Sequence, residues 1–371
     1  MLYYAQNEAL LHIKYIMWSN KTESEEIHMN FISEIRQQAP ALRTLVQYWN
    51  DTYTEDTEKI QALLARTTPT QILFVGMGSS LFASEIACTY LRRKGIRAYT
   101  LEANECLRFD TPVLDEHTLL VAVSQSGNSM ETVRFCEQYR NSPLITVTNQ
   151  EQGNLAKYGD VKIFLRAGDE HFTATKSYTN TVAALVYLAM QLAGDTDGLP
   201  VLYDEILKCA DAIQTMVDDS VLPEKMADFL RETKLLTLVG SGASFATVEH
   251  GQLVMLEAAR IQSFSYTAGQ FIHGPVEVID SAFGCIVFDF DPAVREETNH
   301  VISLTEKFGG RTLVITNRTD LPEIGQRMVL QMNCDNSFLA PLLEIIPIEL
   351  WVKYTGEKKG YTPGVLHRVH K

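Results

Sequence analysis

The chain has 371 residues, of which 46% are apolar and 21% charged, values of a globular protein long enough for two domains with cores of their own. Its formal net charge is −14 and no basic run exceeds Arg92-Arg93-Lys94, which argues against a nucleic-acid partner, whose backbone demands clustered Lys and Arg. A small anionic substrate stays open, because a phosphate site needs only a few local donors.

Cys88, Cys106, Cys136, Cys209, Cys285 and Cys334 are scattered, without CxxC or zinc-like spacing, and read as reduced, packed thiols of a cytoplasmic protein. The nine histidines show no paired ligand spacing with carboxylates or thiols, so no metal and no other cofactor is expected. Met1–Trp18 carries Glu8, His12 and Lys14 among its apolar residues, unlike a signal peptide, and no apolar run approaches membrane-spanning length. A soluble chain with no membrane partner is expected.

In chain order, residues 1–28 end in the acidic patch Lys21-Thr-Glu-Ser-Glu-Glu26, and Met29 is a candidate natural start. From there to about Gln61, Phe31, Ile32 and Ile35 open a helical pattern with a break at Pro40, so that residues 1–60 form an N-terminal helical segment. Gln71–Gly78 is a strand entering a glycine turn, and Ser79–Arg93 is a helix with Leu81, Ala83, Ile86, Ala87 and Leu91 on its apolar side. The turn lacks the third glycine of a dinucleotide loop. Further strands are expected at Ala98–Leu101, Leu119–Val123, Leu144–Thr148 and Val161–Leu165, with helical patterns between several of them. The apolar stretch Thr179–Leu192 is a helix closing the domain. This alternation is that of a parallel sheet flanked by helices, an α/β fold.

The strand Leu119–Val123 runs into Ser124-Gln125-Ser126-Gly127-Asn128-Ser129. Asn128 and Glu131 have capping-box spacing, and hydroxyls with N–H groups at a helix start suit a phosphate; a serine-rich cap that binds nothing is the competing reading.

The pattern then repeats. Val239-Gly-Ser-Gly-Ala-Ser244 matches Val75-Gly-Met-Gly-Ser-Ser80 at an offset of 164, with Glu249 on Glu85, and Leu313–Asn317 matches Ile145–Asn149 at an offset of 168. Two tandem α/β domains follow, residues 61–198 and 199–371, with a boundary near Asp195–Leu199. The turn Ser124–Gly127 corresponds roughly to Phe288–Asp291, where the hydroxyls are gone. Copy two instead carries Glu257 late in a long helical pattern and His273 in a loop fixed by Gly274 and Pro275.

These motifs, VGMGSS, SQSGNS, Thr173-Ala-Thr-Lys176, Ala268–Pro275 and Leu339–Leu350, resemble tandem SIS domains, the sugar-isomerase fold, over nearly the whole chain from Met29 onward. The arrangement is that of the isomerase half of glucosamine-6-phosphate synthase and of the fructosamine-6-phosphate deglycases. The resemblance implies a three-layer α/β/α fold and a sugar phosphate held by Ser79, Ser80, Ser124, Gln125, Ser126 and Ser129, with Gly78, Thr175 and Arg368 at the pocket. It also implies that Glu257, sixteen residues before the HGP histidine, is the catalytic carboxylate. His273 would assist ring opening from the neighbouring subunit, so the chain would be at least a homodimer.

Two departures stand out. Val254 replaces the synthase lysine three residues before the catalytic glutamate, and Arg368 replaces the lysine of the tail. With no N-terminal catalytic cysteine and no room for a glutaminase half, ammonia-dependent synthesis is not expected. Glu257 suits a proton shuttle between C1 and C2, and His273 suits protonation of the ring oxygen or of a departing amine. A deglycase acting on a fructosamine 6-phosphate is the leading expectation. An isomerase or aminosugar deaminase, and a sugar-phosphate sensor without catalysis, are the competing ones. Glu249 and Glu277 read as solvated carboxylates and Lys176 as a surface charge.

Overall fold

Two five-stranded sheets, every pair in each of them parallel, carry the chain. The computed structural model describes residues 30–110, 114, 115 and 117–368; the acidic patch at residues 21–26 and the candidate start at Met29 lie outside them.

Helices α1 (Phe31–Arg36) and α2 (Gln38–Thr67) come first. The break expected at Pro40 is absent: Pro40 lies in the first turn of α2, where its missing N–H has no partner to lose, and the interruption falls at Gln37 instead. Trp49 on this 30-residue helix stacks on Tyr187 with ring centroids 4.5 Å apart, anchoring α2 to the core.

The first sheet contains β1 (Gln71–Gly76), β2 (Ala98–Glu102), β3 (Thr118–Val123), β4 (Leu144–Thr148) and β5 (Val161–Phe164), in the spatial order β2-β1-β3-β4-β5. Its helices are α3 (Gly78–Arg93), α4 (Met130–Gln138) and α5 (Lys176–Ala193). Helices α6 (Leu199–Asp218) and α7 (Leu222–Phe229) lead to the second sheet. There β6 (Leu235–Val239), β7 (Ser263–Tyr266), β8 (Phe283–Asp289), β9 (Arg311–Thr316) and β10 (Arg327–Gln331) repeat the order, β7-β6-β8-β9-β10. With them come α8 (Ser244–Ala259), α9 (Ala268–Ile272), α10 (Arg295–Lys307) and α11 (Ala340–Lys358).

Strand alternation builds the layers. Ile72 and Phe74 of β1 face a large core shared by both copies, whereas Leu73 and Val75 face a separate core under α4; a third core lies between sheet two and α9 with α10. Helix α5 is buried almost all round because it sits between α2 and α3, which explains its near-continuous apolar sequence. All six cysteines are buried.

Strand register sharpens the repeat. Val75 pairs with Ala122 and Val239 with Val287, so Ala122 and Val287 are equivalent and the turn Ser124–Gly127 corresponds to Asp289–Pro292, one residue later than the sequence match suggests. The 168-residue offset of β4 and β9 holds, since Val147 pairs with Val123 and Ile315 with Phe288.

Candidate functional site

In the first sheet the chain order reverses between β1 and β3, and at such a switch point the loops leaving two adjacent strands part and open a crevice at their carboxyl ends. Both serine-bearing turns are there. After β1, Gly78 adopts φ +50° and starts α3, so that Ser79 and Ser80 occupy its first turn, partly exposed. After β3 come buried Ser124, part-buried Gln125, exposed Ser126 and part-buried Ser129. Gly127 is required there by its φ of +63° and by its surroundings: a Cβ would lie 2.9 Å from Thr148 Oγ1 and 3.2 Å from Gly153 Cα. Two helix N-termini with orphan N–H groups thus start from neighbouring strands, an arrangement suited to an anion.

The capping box expected from Asn128 and Glu131 is not formed. Ser129 is the residue before α4, and its hydroxyl donates to Glu131 at 3.2 Å. The Asn128 side-chain oxygen instead accepts from the N–H of Asn154 at 3.2 Å and from its side-chain amide at 3.0 Å, tying this turn to the loop after β4.

Copy two supplies one wall. Helix α8 packs along α3 and presents one face at helical spacing: His250, Leu253 and Glu257. His250 Nδ1 lies 3.0 Å from Ser79 Oγ, and a Cβ on Gly78 would lie 4.0 Å from Leu253 Cδ2. Glu257 accepts a short hydrogen bond from the buried Thr173 hydroxyl, in the loop after β5. The Thr173 N–H in turn donates to the Gly364 carbonyl at 3.0 Å, so the C-terminal tail passes the same loop. Arg368 is exposed four residues beyond Gly364.

Other predicted residues lie elsewhere. Thr175 is fully buried, and its hydroxyl and N–H donate to Glu170 at 3.2 and 3.0 Å. Glu170 also accepts from Ser177 and so caps α5. Lys176 is no surface charge: it is buried and donates to Gln37, because the first turn of α5 is covered by α1 and α2. Glu249 is not a solvated carboxylate either. Half-buried, it is pushed up to about 7 by desolvation first and then by the charge of Glu85, its counterpart in copy one. His273 is exposed just after α9, beyond the carboxyl end of β7, whereas Glu257 ends α8 near the amino end of that strand. One chain therefore does not bring Glu257 and His273 together.

The 164-residue offset carries along α3 and α8, and it sets the second switch point apart. Glu257 corresponds to Arg93, and register places Asp291 where Ser126 stands. Arg93 and Asp291 form a short ion pair, with Ser337 donating to the same carboxylate at 3.4 Å and the Ala293 N–H at 3.0 Å to its other oxygen. Burial alone would raise Asp291, but the Ala293 N–H and Arg93 hold it below the usual range. Sequence reading missed Thr173 as a partner of Glu257, His250 as a partner of Ser79, and this ion pair; the offset itself held the signal for the last.

The SIS domain family model matches residues 67–191 and 229–344. The glutamine–fructose-6-phosphate aminotransferase (isomerizing) of Sulfurisphaera tokodaii is 24% identical over 361 residues, which are 95% of this chain and 57% of that protein. This chain spans about half the length of the curated relatives it matches. Among solved structures, the C-terminal domain of glucosamine-fructose-6-phosphate aminotransferase from Francisella tularensis aligns with a TM-score of 0.81 at 18% identity, covering 92% of this chain and 99% of that one. The glucosamine-6-phosphate deaminase of Thermotoga maritima aligns with a TM-score of 0.72 at 19% identity, covering 92% and 98%. With two matched segments on two sheets of one topology, the chain belongs to the SIS domain family.

Proposed function

We propose that this chain is an enzyme acting on a 6-phosphorylated ketosamine, which it splits into hexose 6-phosphate and a free amine. The observation that supports the proposal is the course of α8 in the second copy: its His250 contacts Ser79 in the first copy's serine-bearing turn and, two helical turns on, its Glu257 contacts Thr173 in the loop after β5. In this reading residues 61–198 hold the phosphate through Ser79, Ser80, Ser124, Gln125, Ser126 and Ser129, and residues 199–371 supply the chemistry. The relatives whose names specify fructose 6-phosphate or glucosamine 6-phosphate support the substrate class.

Once the ring is open, Glu257 takes a proton from C1 of the ketosamine and returns it to C2, while the amine loses its N–H proton and the C2 oxygen gains one, so that the C2 ketone and C1 amine become a C2 alcohol and a C1 imine. Water adds to the imine and the amine leaves with a proton. The phosphate grip holds C1 and C2 at the carboxylate throughout. His273 of a second copy supplies the proton for the ring oxygen or for the amine, since the His273 of the same chain lies at the far end of β7.

The test is incubation with a panel of 6-phosphorylated Amadori compounds, fructose 6-phosphate with ammonia, and glucosamine 6-phosphate, assaying hexose phosphate and amine. Release of both from a ketosamine, abolished in Glu257→Gln, is the expected result. Turnover restricted to fructose 6-phosphate or glucosamine 6-phosphate would make the chain an isomerase or deaminase. Binding of fructose 6-phosphate without any turnover would make it a sensor.

A further inference from the structure

His250 is fully buried on α8 of the second copy. Its ring stacks on Tyr178 of α5, with centroids 3.7 Å apart and planes within 19°, and Nδ1 reaches 3.0 Å to Ser79 Oγ. It stands two helical turns before Glu257 on the same side of α8. The repeat supplies an independent comparison. At the 164-residue offset Ser79 corresponds to Ala243 and His250 to Ile86, so the other copy has an apolar pair in place of this polar one. The hydroxyl–imidazole contact thus occurs only at the switch point that keeps the serine turns, and is lost where Asp291 and Arg93 pair instead.

We propose that His250 is a positioning residue for the phosphate-binding turn: its Nδ1–H donates to Ser79 Oγ, turning the Ser79 O–H out toward the phosphate and fixing that turn to the helix that carries Glu257. This rests on the reading of the crevice as a sugar-phosphate site. It extends that reading by joining phosphate grip and base through one rigid element. The Tyr178 stack holds the imidazole plane, so the donor direction is set before the ligand arrives. His250 itself touches no reacting atom.

Calorimetric binding of fructose 6-phosphate to the full chain, with melting temperature as the control, provides the test. Asn at position 250 places an amide nitrogen near the Nδ1 position, whereas Gln reaches the Nε2 position. His250→Asn should bind within about twofold of wild type, while His250→Gln and His250→Phe lose about tenfold, the worth of one hydrogen bond to a charged ligand's donor. In a Ser79→Ala background, His250→Phe should add less than about twofold, because the two residues act as one unit. Equal effects of Asn and Gln, or losses that multiply in the double variant, overturn the inference and leave a packing role. Ser79→Ala and the Asn/Gln comparison stand even if the Phe variant does not fold. A wild-type chain that does not bind fructose 6-phosphate overturns the site reading as well, whereas wild-type binding with unaltered His250 variants overturns this inference alone.

Discussion

Glu257 has its carboxylate held by the Thr173 hydroxyl from the other copy's loop, so its orientation depends on a residue 84 positions away. Thr173→Val, which keeps the shape and removes the donor, should lower kcat about tenfold with little change in KM, as measured by steady-state kinetics on the ketosamine that turns over. The candidate carboxylate and serines could be named from the sequence because their motifs resemble those of the SIS domain family. Thr173 and His250 were not, because their partners are set by packing between copies: a lone threonine in a polar loop and a histidine on an apolar helix carry no local sign of what they face. Lys176 and Glu249 misled for the same reason, since polarity suggests exposure and only the neighbouring helices reveal their burial.

The turn after β3 shows how an element can enforce a site. Gly127 combines a positive φ with backbone and hydroxyl atoms too close for any side chain. Gly127→Ala should therefore cost about 1–3 kcal/mol in urea unfolding and weaken sugar-phosphate binding together, since the whole serine turn must shift. Strands were readable as apolar runs bounded by polar clusters. Helix starts were less so: proline is harmless in a first turn, so Pro40 misplaced a break, and Asn128 competes with the serines of 124–129 for the cap, so α4 begins beyond Ser129. Helix α11 contains Pro347 and is nonetheless continuous, because it is buried along most of its length and packing outweighs one missing donor.

Across the whole molecule, Glu257 and His273 lie toward opposite ends of β7, so the proposed mechanism draws its histidine from a second copy. Mixing and refolding the separately inactive Glu257→Gln and His273→Ala variants should restore about a quarter of wild-type activity, the share expected if half the dimers are mixed and each has one intact site. Recovery of none would place the histidine's partner elsewhere. Stability has its own pH signature. Glu344, fully buried between α8 and α11, is pushed up to about 7 by desolvation, partly offset by the Ser244 hydroxyl, and Glu249 is raised as far. Their folded forms hold protons that the unfolded chain has released, so this stabilisation is complete below the ordinary value of 4.5 and is lost as pH rises through about 7. The melting temperature should fall between about pH 5 and about pH 8, and Glu344→Gln should flatten the fall. The Arg93–Asp291 pair has a consequence for stoichiometry. Duplication gave the chain two crevices of one topology, but the second already contains a carboxylate of its own, clasped by a guanidinium. A calorimetric titration with sugar phosphate should end at one equivalent per chain, because at the second switch point the Asp291 carboxylate stands where Ser126 stands in the first and already holds the nearby guanidinium.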